Sequence, residues 1–287
     1  MSRIMRSLER TFLLFAFSIW LLSSCAATNG QKETSEYKGI DITKRQTLPD
    51  MFNVPEVGKV KPTQIKTVLD EPIPEIQAPK DPIEAAKLAK QYADAGVKAY
   101  AAGNLDETIR CFQKALKVTP DWTQVRFDLG FVLYLRGNDY SVLSHQEWQR
   151  AKGFEYDELT KKWFPVEKTQ EQKTRHLANS FGYYYFGMVK FMRRAIDEWS
   201  IVAARRPEEA RTIYYMGFAY MMLEEYNNAK RCWQAVLDNV SVREDIKERV
   251  REALSILEKF EEKRRAEGAV PKKEEGKIWD KDLVPPK

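Results

Sequence analysis

Tyr92-Ala-Asp-Ala-Gly96-Val-Lys-Ala-Tyr100-Ala-Ala-Gly103-Asn-Leu-Asp-Glu-Thr108-Ile-Arg-Cys-Phe112-Gln-Lys-Ala115-Leu-Lys-Val-Thr-Pro120 reads as two helices that turn at Gly103. Thr108, Phe112 and Ala115 stand at i, i+4 and i+7, so they share one face of the second helix. A small residue, a ring and another small residue in that order make a face that packs closely. Its natural partner is Gly96 on the preceding helix, where the absence of a Cβ lets two backbones approach.

Working outward, the same face recurs as Ser144/Trp148/Ala151, Ala195/Trp199/Val202 and Ala229/Trp233/Val236. Glycines recur with it at Gly96, Gly130, Gly182 and Gly217, the first two 34 apart and the last two 35, with 52 between. This pattern resembles the tetratricopeptide repeat, abbreviated TPR. The resemblance implies an all-α fold, a right-handed superhelix of about four TPR helix pairs. The units fall near 89–122, 123–157, 175–208 and 210–242. Two departures are visible: eleven positions separate Gly137 from Trp148 against nine from Gly103 to Phe112, and the third unit has Lys190 near the place of the turn glycine.

The 52-residue interval leaves an insert near 154–174. Phe154, Tyr156 and then Trp163-Phe164 across a polar turn suggest a small β-hairpin or an irregular loop. After the last unit, Ser241-Val-Arg-Glu244 resembles a capping box, and Ile246, Val250, Ala253, Leu254, Leu257 and Phe260 form one apolar stripe. A helix over 241–268 is therefore expected, either as the polar cap that an open repeat stack needs or as a coiled-coil surface. Residues 81–268 hold 27 of the 34 aromatics and form the folded part; 269–287, with Pro271, Pro285, Pro286 and the single ring Trp279, is expected to be a disordered tail.

At the other end, Arg3, Arg6 and Arg10 precede the apolar run Thr11–Leu22, then Ser23-Ser24-Cys25. A twelve-residue apolar helix spans ~18 Å, too short for a ~30 Å hydrocarbon core, so 1–24 reads as a signal peptide. Leu22-Ser-Ser-Cys25 resembles the bacterial lipobox, which implies lipidation of Cys25; an ordinary cleaved signal with Cys25 incidental is the alternative. Ala26, where the sorting rule would place Asp for retention, implies an outer-membrane lipoprotein. Between Ala26 and Lys80 there are six prolines and two aromatics, so 25–80 reads as a lipidated Cys followed by a disordered tether. Short apolar pieces such as Ile65-Lys-Thr-Val-Leu69 are candidates to dock on a partner or on the domain itself.

The chemistry-bearing inventory is poor. Three cysteines and two histidines are present, and neither His145 nor His176 sits at metal-ligand spacing; both read as surface or groove residues. Carboxylates alternate with basic neighbours, as solvated helix faces do. Cys111 and Cys232 hold equivalent places in the first and last units, too far apart for a disulfide. Net charge is +5 overall, with no clustered basic face of the kind nucleic acid requires. No enzyme, metal or cofactor is expected.

By resemblance to TPR proteins, the first helix of each unit lines a concave channel. Carried over, the lining is Val97, Tyr100, Phe131, Tyr134, Tyr183, Phe186, Phe218 and Met221, with Phe127, Asn179 and Tyr214 one turn earlier. Aromatic side chains there suit an apolar helix or extended peptide. The Lys/Asn/Arg set that holds terminal carboxylates in one TPR subgroup is missing. The expectation is a periplasm-facing adaptor or scaffold for an envelope complex; a solute-transporter accessory that binds a small molecule and a surface-exposed interaction protein are the alternatives.

Overall fold

The computed structural model describes residues 60–266. The expected signal segment, Cys25, the expected tether as far as Lys59 and the expected tail with Trp279 lie outside the described residues. The helices are α1 (Pro82–Ala101), α2 (Leu105–Val118), α3 (Thr123–Ala151), α4 (Gln170–Gly182), α5 (Lys190–Arg205), α6 (Ala210–Met222), α7 (Tyr226–Asp238) and α8 (Glu244–Ala266). Strands β1 (Phe154–Asp157) and β2 (Lys162–Pro165) separate α3 from α4, and a π-helical stretch, Tyr183–Val189, joins α4 to α5. The fold is all-α and TPR-like, with a hairpin insert and a terminal helix.

Local chemistry explains the first hairpin. Asp81 caps α1, its carboxylate accepting from the Ile83 amide, with Pro82 in the first turn. Gly103 takes φ +77° between the helices, and Asn104 caps α2 through the Glu107 amide. A Cβ placed on Gly96 would stand 2.6 Å from the Phe112 ring, so the two helices touch where the sequence predicts.

The middle of the chain departs from the expected units. The turns expected at Gly137 and near Lys190 do not form: α3 runs unbroken through Gly137, and α4, the π-helical stretch and α5 make one rod from Gln170 to Arg205, with right-handed helical backbone at both junctions. Glycine inside a helix costs ~1 kcal/mol relative to Ala. Here tertiary contact offsets it, because Met192 fills the space where a Gly137 Cβ would lie, 2.9 Å away, and Tyr140 covers Gly187 in the same manner. Units 123–157 and 175–208 are thus welded into one elongated hairpin.

That weld changes which helices pair. Trp199 packs on Gly130, whose Cβ would stand 2.5 Å from the indole nitrogen, and not on Gly182. Trp233 covers Gly217 in the same way. Both indole N–H groups donate to the carbonyl three residues before the glycine, Trp199 to Phe127 at 3.1 Å and Trp233 to Tyr214 at 3.3 Å. The repeat therefore survives as three glycine–aromatic hairpins among the described residues, the central one drawn out by a whole extra pair of helical segments.

The tip of the long hairpin is the β-ribbon, paired Phe154↔Pro165, Glu155↔Phe164, Tyr156↔Trp163 and Asp157↔Lys162. A lone two-stranded ribbon is marginal in water. The Val166 amide extends the pairing by donating to the Gly153 carbonyl at 2.7 Å, and the ribbon leans on α3 through Glu155, which pairs with Arg150 and also with Lys168 of the following loop. Thr169 and Gln172 then form a capping box that opens α4. At the other end α8 begins at Glu244, three residues beyond Ser241, because the Ser241 amide is turned onto the Asn239 side chain. Val250, Ala253 and Leu257 of α8 are buried in the core cluster.

Candidate functional site

The channel expected from the sequence is not hollow. Phe127, Tyr134, Tyr214 and Phe218 are core residues, the last three at most 1% exposed. Tyr134, four residues after Gly130, and Phe218, one after Gly217, together with Phe127 and Tyr214, three before those glycines, fill the interior instead of facing a cleft. Tyr215 sits at the centre: Trp199 stacks on it at 5.8 Å, Phe131 meets it edge-on at 5.3 Å and Phe127 lies 6.1 Å away. Burial pushes the Tyr134 phenol up to about 12. Tyr100, Phe131, Tyr183, Phe186 and Met221 are half-buried at the margin of this core, and Val97 is exposed on α1.

The face of α4 that carries Asn179 and Gly182 is covered by the chain itself. Residues 60–80, the last part of the expected disordered tether, are ordered against the helices. The Thr63 amide donates to the Ala178 carbonyl at 3.0 Å and its hydroxyl to Asn179 Oδ1 at 2.8 Å. The Thr63 carbonyl and the Ile65 side chain occupy the position of the missing Gly182 Cβ. Thr67 and Val68 are buried, and Val60, Ile65 and Leu69 pack on the core. This strap was legible only as a docking-prone apolar piece; nothing local says which surface it finds.

Charges fasten its far end. Asp70 accepts from the Thr67 amide and hydroxyl, both 2.9 Å, and pairs with Lys190. The Lys190 hydrogen bond, followed by those from Thr67, holds the Asp70 carboxyl down at about 2. Glu71 takes a two-point contact from Arg110 of α2 at 2.9 and 3.1 Å, and Lys117 donates to the carbonyls of Ile73 and Pro74 at 3.1 and 3.4 Å. A segment that is extended up to Thr67, makes a 3-10 turn over Val68–Asp70 and carries an acidic pair at Asp70 and Glu71 thus lies between α2 and the α4–α5 rod.

Beside the strap is a polar network that sequence reasoning missed. Glu147, buried in α3, accepts from His176 Nδ1 (2.9 Å), Asn179 Nδ2 (3.2 Å) and Arg150 (2.6 Å). Burial alone would raise its carboxyl, but these donors hold it below the usual range. His145, expected at the surface or in the groove, is 1% exposed, one turn from Gln149, whose amide lies 3.2 Å from its Nε2. Burial, with Lys152 adding to it, pushes His145 down to about 4. Among the described residues no group of three or more His, Cys, Asp or Glu is arranged to hold a metal. Burial also pushes both thiols upward, Cys232 to about 12.

His145 makes stability pH-dependent with a definite sign. The unfolded imidazole takes up a proton near 6.5 and the buried one only near 4, so the unfolded state binds more protons between those values. Unfolding free energy therefore falls as pH drops from 6.5 to 4, by about 3 kcal/mol in total, and Glu147 adds a loss of the same sign below 4.5. Urea midpoints measured at pH 7 and pH 5 should show the drop. A His145→Leu chain should show a flatter profile over that interval.

The geometry is that of a TPR-like array of paired helices with the chain's own residues 60–74 laid across it. No family model and no curated protein matches the chain. Among solved structures it is similar to a chain of the CopN-Scc3 complex, at 12% identity over 84% of this chain and 98% of that one, TM-score 0.36. It is also similar to MamA, at 17% identity over 60% of this chain and 96% of that one, TM-score 0.22, and to MamA 41-end from Desulfovibrio magneticus RS-1, at 16% over 61% and 96%, TM-score 0.22.

Proposed function

We propose that the protein is a non-enzymatic adaptor, a TPR lipoprotein of the bacterial envelope that is anchored in the outer membrane through Cys25 and faces the periplasm. It holds a protein segment against its helices and so assists assembly or regulation of an envelope complex. The observation that carries this reading is the strap itself: a helical array built to grip an extended chain by one backbone hydrogen bond, a buried β-branched side chain and paired carboxylates. Capture of an acidic motif by basic side chains is one of the recurring modes of peptide recognition. The lipobox-like string before Cys25 supports the anchor, and two or more acyl chains would make it stable where one would bind only reversibly.

Cys25→Ser is expected to move the protein from the membrane to the soluble fraction of native cells without changing its melting temperature. Photo-crosslinkers at Tyr185 and Phe186, an exposed and a half-buried ring of the π-helical stretch, are expected to capture a defined envelope protein in the Cys25 chain. A Cys25→Ser chain that still sediments with membranes would overturn the anchor. Crosslinks confined to residues 60–75 of the same chain would overturn the adaptor.

A further inference from the structure

We propose that residues 60–75 are a displaceable ligand carried in cis, and that the slot beneath them is the docking site for a partner segment that presents a β-branched residue and an acidic pair on a tight turn. The inference rests on the adaptor reading and names its partner's chemistry. Three observations support it.

The slot is specific. Gly182 supplies a floor that admits main chain, the Ala178 carbonyl offers an acceptor to an extended backbone, and a buried site receives Val68. Two and three residues after that valine stand the carboxylates of Asp70 and Glu71, which meet Lys190 and Arg110. What the slot recognises is thus a β-branched residue followed closely by an acidic pair.

The occupant is lightly held. Of the 21 side chains from Val60 to Lys80 only Thr67 and Val68 are buried, while the helices beneath belong to the continuous core. Segments with few buried apolar contacts open locally at far less cost than the whole domain. The strap can leave without the hairpins coming apart.

The cations on the helix side lose their acidic complement when it does. Lys190 faces Asp70, Lys117 faces strap carbonyls, and Arg110 divides itself between Glu71 and Glu107. A vacated slot therefore presents cationic groups at the spacing of the strap's own acids. A partner carrying that pattern competes directly with the strap, so binding in trans is held back until local concentration of the partner outweighs the tethered copy.

The test uses a labelled peptide with the sequence of residues 60–75 and the full-length chain. Val68→Asp puts a carboxylate into the apolar site and releases the strap. The expected result is peptide binding at least tenfold tighter to the Val68→Asp chain than to wild type. Binding should weaken at least tenfold when the peptide carries Asn and Gln in place of the acids at 70 and 71, or when Lys190→Glu is added to the chain. An Asp70→Asn/Glu71→Gln chain, which loosens the strap without burying charge, should bind the peptide to an intermediate degree. Equal weak binding to all chains would overturn the proposal, as would indifference to the acids, or loss of cooperative melting in both strap variants. A wild-type dimer that exchanges straps would overturn the cis arrangement. These readouts are made on purified protein, so they fail independently of the fractionation and crosslinking results on which the adaptor reading depends.

Discussion

Trp199→Ala lowers the unfolding free energy by about 3–5 kcal/mol in chemical denaturation, the range for emptying a large buried aromatic site. Trp199 is fully buried, stacks on Tyr215, leans on Tyr134 and donates its indole N–H to Phe127. It joins the two arms of the long hairpin and, through Tyr215, the next hairpin as well. The companion glycine supplies a sharper outcome. In wild type, Gly130→Ala drives a Cβ against the indole nitrogen and destabilises by about 1–3 kcal/mol. In the Trp199→Ala background that collision is gone, and the same change gains about 1 kcal/mol of helix propensity. The sign reversal is the signature of direct contact. Gly182→Ala, by contrast, is expected to show no coupling to Trp199, because its Cβ meets the Thr63 carbonyl. A cycle in which Gly182 couples and Gly130 does not would restore the pairing that sequence spacing predicts.

Arg126→Ala is the second large effect, about 3–5 kcal/mol, the usual cost of removing one partner of a buried ion pair. Glu198 is 2% exposed and receives Arg126 Nη1 at 2.5 Å and Arg194 at 2.8 Å. Arg126 also donates to the Pro120 carbonyl in the turn before α3 at 2.7 Å, while its pair with Glu198 ties the start of α3 to the middle of α5. Without it the carboxylate stays buried with one half-exposed arginine, Arg194, as its neighbour. The double change Arg126→Met/Glu198→Leu should recover most of the loss, since neither charge is then left stranded. A double variant as unstable as the single one would mean that the pair acts through packing alone.

Glu198, Glu147 and His145 show where sequence reading of charge stops. Each lies on a helix with basic neighbours, and on such evidence each belongs to solvent. A 3.6-residue period distinguishes one face from the opposite one only when a helix has a single neighbour. The α3 helix is touched by α2 on one side and by the α4–α5 rod along its length, so most of its circumference is core and its polar residues are buried with the rest. The same crowding converted Phe127, Tyr134, Tyr214 and Phe218, four of the eleven expected channel residues, into packing. Tyr134 and Phe218 obey the TPR spacing; what the spacing does not contain is how large rings close the gap between first helices.

Sequence by itself determined the local grammar: where α1 and α2 begin, the turn at Gly103, the faces bearing Phe112, Trp199 and Trp233, the aromatic insert and the apolar stripe of the last helix. Those features are written in caps, small residues and side-chain period, all of which act within a few turns of chain. Only the tertiary structure decided that Gly137 stays helical, that Trp199 seeks Gly130, and that residues 60–75 settle on Gly182. Each of these is a choice between surfaces of similar local chemistry, and it is settled by which arrangement buries the rings and satisfies the carboxylates together, a sum over distant residues that no short window of sequence contains.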